Sequence, residues 1–277
     1  MSDAETRKEE QAVHKILHLL ACSDLRKNLA EALRNGKVLT LSQVSEQVGA
    51  SSPAAVHGLR ELTKEHLTYQ DEKRNYLLTN IGEIVMRKLE ETNKTINALS
   101  KNREFWLEHD LTGFPVNLLD EVGCLEDGEV ITSTPTDLFK IVSTFYMLLG
   151  NAKEVRGVSP IFMEGLTTNF VNFVDKGVDI ELVMTPEVLA AVLKGLELAE
   201  LKDALKDALK GNLKLYTTEC QPAAAFTVTD YFLQLGFFRE DGSYDWSKEL
   251  VSYSEDALAW GRKLFQFYVE QAEPFTL

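Results

Sequence analysis

The amino-acid sequence predicts two domains of different class: an α+β winged helix-turn-helix at the N-terminus, then a C-terminal α/β domain with a mainly parallel sheet. Three observations predict this. A pattern of three helices and a hairpin fills the first 80 residues. Hydroxyl–proline pairs at 134–135, 159–160 and 185–186 each follow an apolar strand pattern, the prolines lying 25 and 26 residues apart. The charge also changes along the chain: residues 1–104 carry 16 Lys/Arg and 15 Asp/Glu, whereas residues 105–277 carry 13 and 28. A length of 277 residues fits two domains. Hydrophobic residues at 44% and charged residues at 26% are ordinary globular usage, which excludes collagen-like and disordered chains. The expected division is 1–80 for the winged helix, 81–105 for a linker or dimerisation helix, and 106–277 for a regulatory domain.

In the head, Val13, Ile16, Leu17 and Leu20 recur at helical spacing, as do Leu25, Leu29 and Leu33, and Asn35-Gly36 stops the second helix. Leu41, Val44 and Val48 give a short third helix its apolar face. Gly49 supplies the positive φ of a sharp inter-helix turn. Ser51 or Ser52 caps the next helix and Pro53 suits its first turn. Val56, Leu59 and Leu62 form its inward stripe, which leaves Ser51, Ser52, Ala55, His57, Arg60 and Lys64 for the outward side. The segment LTYQDEKRNYLLT then alternates around a polar tip holding Lys73, Arg74 and Asn75, the pattern of a β-hairpin.

This order of elements carries a function. A helix fits the major groove of B-DNA, where side chains reach base edges. A basic hairpin tip contacts phosphate, which positions the protein without specifying sequence. Double-stranded DNA is therefore the expected partner of these nine residues. A winged helix also serves as a dimerisation or protein-docking module, as in many O-methyltransferases, and the head alone leaves that alternative open.

Ile81, Ile84, Val85, Leu89, Thr92, Ile96 and Leu99 continue one apolar stripe through a long helix, beside the charged Arg87, Lys88, Glu90, Glu91 and Lys94. The stripe either packs on its own domain or pairs with its twin in a homodimer, the usual state of a regulator that binds two half-sites. His14, His18 and Cys22 share a helix stripe. The third of them is two turns away and no carboxylate completes the set, so no metal site is expected.

In the body, Thr134-Pro135, Ser159-Pro160 and Thr185-Pro186 each place a hydroxyl at an N-cap and a proline at the first helical position. Strands alternating with helices imply parallel strands and right-handed crossovers. Residues 212–219 and 224–230 read as further strands, 196–210 as a charged helix, and 254–272 as a closing helix capped by Ser254. Ligands of open α/β sheets sit beyond the carboxyl ends of the strands, beside helix N-termini. Thr134, Ser159 and Thr185, with Asp230, are thus candidates for binding a polar or anionic small-molecule effector.

Catalytic motifs are missing. The sequence has no GxGxxG turn, no GxxxxGK[ST], no GxSxG and no HExxH. His109 is the only histidine after residue 66, which leaves few candidates for a general base. No catalytic residue, cofactor or metal is expected. A methyltransferase-like enzyme using its winged helix for dimerisation is the alternative. Cys22, Cys124 and Cys220 are odd in number and far apart, the polar start MSDAETRKEE has no signal-peptide core, and no apolar run reaches membrane-spanning length. The expected location is the cytoplasm.

From Val228 to Phe265 the sequence shows a V-T-D strand, L-x-L-G-x-F, a D-G-x-Y-D turn and an A-x-x-W-G-x-x-L-F helix, and Glu181–Pro186 adds a strand ending in Thr-Pro. In this composite it resembles the archaeal methanogenesis-regulatory (filamentation-regulator) family of winged-helix transcriptional regulators. The resemblance covers nearly the whole chain. It implies a dimeric cytoplasmic regulator with a C-terminal regulatory domain, and it supplies no ligand. The motif positions Asp230, Trp260 and Gly261 carry over as matched positions only.

Overall fold

The computed structural model describes residues 15–162, 177–195 and 212–275. They divide on either side of Thr92 into two compact units.

The first unit begins with helical residues 15–21 (α1), followed by α2 (Asp24–Ala32), α3 (Leu41–Val48) and α4 (Ser52–Lys64). In α1 the inward residues are Ile16, Leu19 and Leu20; Leu17 is exposed and Val13 lies outside the described residues. The Ser23 hydroxyl accepts from the Arg26 N–H to start α2. Thr40 and Gln43 satisfy each other's backbone donors in a capping box that starts α3. Gly49 ends α3 with φ +66°, the left-handed conformation required for the turn into α4. Strands β1 (Thr68–Gln70) and β2 (Tyr76–Leu78) pair antiparallel, and Leu39 bridges Tyr76 on the other edge, so the wing has a third short rung. Leu29, Leu33, Val44, Leu59, Leu62, Leu67 and Met86 fill the core. Helix α5 (Asn80–Lys101) starts on Thr79, whose hydroxyl accepts from the Gly82 N–H and donates to the His66 carbonyl.

In the second unit, α6 (Arg103–Glu108), α7 (Val116–Asp120) and a 3-10 turn (Val122–Leu125) precede β3 (Glu129–Thr132) and α8 (Lys140–Leu149). Next come β4 (Glu154–Ser159), β5 (Asp179–Met184), α9 (Pro186–Gly195), β6 (Leu213–Thr217), β7 (Ala224–Thr229), β8 (Leu233–Phe237), β9 (Lys248–Ser252), α10 (Glu255–Val269) and β10 (Glu273–Phe275). Among the described residues the sheet runs β10-β6-β5-β4-β7-β8-β9-β3.

The expectation of a mainly parallel sheet is corrected here. Among the described residues only β4–β5 and β5–β6 are parallel, and every other strand pairing of this sheet is antiparallel. The reason is connection length. Three residues join β7 to β8 and ten join β8 to β9, too few for a crossover and sufficient for a hairpin. Strands β8, β9 and β10, unrecognised in the sequence, make up most of the antiparallel part.

Two cores cover the two faces. On one, α10 packs through Ala257, Trp260, Leu264 and Phe265 against Phe226, Val228, Leu233 and Leu235, with Phe105, Phe114 and Leu118 alongside. The Trp260 indole N–H donates to the Leu118 carbonyl at 2.9 Å. A Cβ at Gly261 would stand 2.9 Å from Leu233 and 3.1 Å from Val228, so glycine sets how closely α10 approaches the sheet. On the other face, Leu148 and Leu149 of α8 and Val188 and Leu189 of α9 pack on Ile180, Met184, Leu213 and Val251.

The helix expected directly after Thr134-Pro135 is not there. Thr134 and Asp137 close a bridged turn and α8 starts at Lys140. The helix expected from Pro160 is not present at residues 160–162, and the rest of it, like the helix expected at 196–210, lies outside the described residues.

Candidate nucleic-acid interface and sheet-edge site

Helix α4 buries Ala55, Leu59 and Leu62 and turns Ser51, Ser52, His57, Arg60 and Lys64 to solvent. Ala55 was expected on the outer side; at 0% exposure it is a core residue, one turn before Leu59. Ser51 occupies the N-cap but makes no side-chain cap bond, and Pro53 in the first turn leaves one fewer donor to satisfy. Gly58 lets α4 lie tight on α2: a Cβ there would come within 2.6 Å of Leu29.

The wing tip is a built turn. The Asp71 carboxylate accepts from the backbone N–H groups of Lys73 (2.9 Å) and Asn75 (2.7 Å) and from the Asn75 side-chain amide (2.9 Å). The bonds from Asn75 hold Asp71 below the usual carboxylate range. Asn75 is half-buried and spends its amide inside the turn, so it shapes the tip that Lys73 and Arg74 project from. Arg74 takes φ +65°, with its carbonyl accepting from the Gln70 amide.

The cations of this unit fall into two groups. Arg26 pairs with Glu61 at 2.8 Å, Arg34 with Glu31 at 2.9 Å and Glu90 at 2.6 Å, and Lys15 with Glu65 at 2.5 Å. Arg60, Lys64, Lys73 and Arg74 are exposed and form no ion pair among the described residues. Lys88 pairs with Glu91 at 2.6 Å; Lys27, Lys37 and Arg87 also lack an ion pair among the described residues, and four of the unpaired cations stand on α4 and the wing tip.

The four sheet-edge candidates do not form one group. Ser159 and Thr185 close adjacent strand ends, β4 and β5, where Ser159 pairs with Met184 in register. Thr185 is a buried cap: its hydroxyl accepts from the Val188 N–H and starts α9 as expected. The half-buried Ser159 donates to the Ile161 carbonyl at 2.8 Å. Thr134 follows β3, with three strands between it and β4, about 19 Å away at the usual strand spacing. Asp230 follows β7, which runs against β4, so it sits at the opposite edge and accepts from the Lys153 and Glu154 N–H groups.

A polar cluster that the sequence reading missed lies on β8, β9 and the turn between them. Glu249 is buried and accepts from the Tyr244 hydroxyl at 2.5 Å and from the Gln234 amide. Asp245, fully buried, accepts from Arg239 at 2.8 Å and from the Ser247 N–H at 2.8 Å and lies 3.2 Å from His109 Nε2, while His109 Nδ1 is in hydrogen-bond contact with the Phe105 carbonyl. Burial drives Tyr244 well above its usual range, the Glu249 charge adding to it. The signal was legible as Gln234 inside the apolar strand Leu233–Phe237, whose five residues are all buried. Of the His14, His18 and Cys22 stripe, His14 lies outside the described residues. No cluster of metal-binding side chains occurs among those described.

A winged helix joined to a mixed α/β unit is the class these observations define. Residues 138–271 match the family model described as methanogenesis regulatory protein FilR1, middle domain. That segment contains the Val228–Phe265 signature and is similar to the same family. It is 26% identical over 267 residues to the methanogenesis regulatory protein FilR1 of Methanothrix harundinacea (strain 6Ac), a match covering 95% of this chain and 59% of that protein. Among solved structures it is similar to TrmBL2, described as an archaeal chromatin protein with a novel mode of DNA binding. That match has TM-score 0.43 and 17% identity, covering 91% of this chain and 94% of the other. It is also similar to an O-methyltransferase family protein from Burkholderia thailandensis, with TM-score 0.27 and 10% identity, covering 79% and 65%. Among the described residues no helix is long and apolar enough to cross a membrane.

Proposed function

We propose that this chain is a cytoplasmic, homodimeric transcription regulator that acts by binding DNA rather than by catalysis, with its second unit responding to a small molecule. The observation that carries the reading is the set of four exposed cations without ion-pair partners on α4 and the wing tip. Helix α4 enters the major groove, where His57 and Arg60 reach base edges with Ser51 and Ser52 at the entry. Lys64, Lys73 and Arg74 meet phosphates. The dimer reading is supported by α5, which leaves Ile81, Ile84, Ile96 and Leu99 exposed along one stripe. The effector reading keeps Ser159 and Thr185 as neighbours at the strand ends and gives Thr134 and Asp230 no shared role with them.

The test is a gel shift with the region upstream of the chain's own gene, at about 50 and about 200 mM salt. Binding by so few phosphate contacts should be retained at the lower salt and fall steeply at the higher. Absence of any shift at low salt, on that DNA and on sequences selected from a random pool, sinks the reading.

A further inference from the structure

Helix α5 carries six exposed residues along one stripe: Ile81, Ile84, Lys88, Thr92, Ile96 and Leu99. Their spacings are 3, 4, 4, 4 and 3, the same read from either end. Ile81 and Leu99 lie 18 residues apart, about five helical turns, so the stripe returns to its starting direction. Both ends are apolar: Ile81 is 55% exposed, Ile84 63%, Ile96 55% and Leu99 38%. The centre is charged, with Lys88 bonded to Glu91 at 2.6 Å and both side chains mostly in solvent.

Four large apolar side chains in solvent along one helix mark a surface built to be covered. A row that reads the same in both directions is complementary to itself turned end over end, as a two-fold interface requires. We propose that α5 pairs antiparallel with α5 of a second copy of this chain, about a two-fold axis at the level of Glu90. Ile81 of one protomer then faces Leu99 of the other, Ile84 faces Ile96, and Lys88 faces Thr92 beside the other protomer's Glu91. Charge selects the direction. A parallel pair sets Lys88 against Lys88 and Glu91 against Glu91. In the antiparallel pair each lysine lies between its own Glu91 and that of the other protomer, a ring of alternating charge. The two helix dipoles also oppose. Charge and apolar ends together pin the register, because a slip of one turn sets Lys88 against Ile96.

The pairing deepens the homodimeric reading and rests on it. It also places the starts of the two α5 helices at opposite ends of the pair. The two Asn80 residues stand about 30 Å apart along it, near the separation of about 34–36 Å between half-sites one turn apart on B-DNA. A parallel pair would leave them about 8–10 Å apart.

Ile84→Cys and Ile96→Cys are made separately in the full chain, at positions where no core is disturbed. Each variant alone, and an equal mixture incubated to exchange subunits, is oxidised. Linked peptides are mapped by mass, which sets aside any link through Cys22, Cys124 or Cys220. Two copies of position 84 in the antiparallel pair lie about 18 Å apart along the axis, beyond the reach of a disulfide. The mixture should therefore give an 84–96 link at least tenfold more abundant than any 84–84 or 96–96 link in the single variants. Lys88→Glu should raise the dimer dissociation constant at least tenfold, and Lys88→Glu/Glu91→Lys should restore it. Sedimentation of the wild-type chain separates this pairing from the reading beneath it. A wild-type monomer removes both. A wild-type dimer overturns the antiparallel pairing and keeps the homodimer in any of three cases: no 84–96 link forms, 84–84 and 96–96 links form as readily, or Lys88→Glu leaves the dissociation constant unmoved.

Discussion

Arg60 and Arg74 carry the same charge and are expected to fail differently. Arg60 stands on the exposed side of α4, the side proposed to enter the groove. Arg60→Ala should cost about 1–3 kcal/mol of operator affinity and relax preference at one base position. Lys73→Ala and Arg74→Ala, on the tip held by Asp71, should weaken all sequences alike. Each should lower the slope of log affinity against log salt by about 0.9. Selection from random DNA at two salt concentrations separates the two behaviours, and an altered base preference in the wing variants contradicts the assignment. A second residue-scale expectation concerns Glu249. Burial first, and the Asp245 charge last, raise its pKa against the opposing bonds from Tyr244 and Gln234. A carboxyl raised in the folded state contributes stability that is fully present below the unfolded pKa and lost as pH rises through the folded value. The wild-type denaturation midpoint should therefore decline as pH rises above the ordinary carboxylate range, and Glu249→Gln should flatten that decline. Parallel curves for the two proteins would show that Glu249 does not titrate in this window.

The placement of α4 depends on the element before it. The Thr40–Gln43 capping box fixes the start of α3, and Gly49 fixes its end at φ +66°. Thr40→Ala should cost about 1 kcal/mol, the usual loss of an N-cap. Gly49→Ala meets no atom within 4 Å, so only the left-handed backbone opposes it, by about 1–2 kcal/mol. Gly82→Ala is a different case. Its Cβ would lie 2.0 Å from the Leu67 carbonyl oxygen, so the start of α5 must move away from the α4–β1 connection. Chemical denaturation should rank the three with Gly82→Ala the most damaging. A Gly82→Ala midpoint equal to that of Thr40→Ala would mean that the contact yields without cost.

At the scale of the whole molecule the expectation is a dimer made by α5. Ile84 is 63% exposed and Ile96 55%, so a charge at either disturbs no core. Ile84→Glu/Ile96→Glu should leave thermal stability near that of the isolated protomer and shift sedimentation to the monomer. It should also reduce affinity for a two-half-site operator to that of a single half-site. A dimer that survives the double change places the interface elsewhere. The charge division adds a constraint: with 28 acidic against 13 basic residues after Glu104, the body should not be drawn to DNA.

The winged helix was legible in the sequence because its signals are local. Apolar spacing, Asn35-Gly36, Gly49, Pro53 and the polar hairpin tip each act within a few residues of where they stand. The closing helix was legible for the same reason, through Ser254 and its apolar stripe. Local signals misled where tertiary packing decided. Thr134-Pro135 carries the same helix-start pair as Thr185-Pro186, yet it closes a turn on an edge strand, and α8 begins five residues later. Ala55 counts outward beside Val56, but the close approach of α4 to α2 at Gly58 buries it completely. The strand–helix period seen at β4, β5 and α9 says nothing about β8 and β9, which join the sheet by hairpins. These hairpins bring together Gln234, Tyr244 and Glu249, and place Asp245 against His109, 136 positions away. Spacing along the chain determined the helices, caps and turns, because those bonds close within a few residues. Which buried polar groups meet was decided only by strand order, because that is set by long-range pairing.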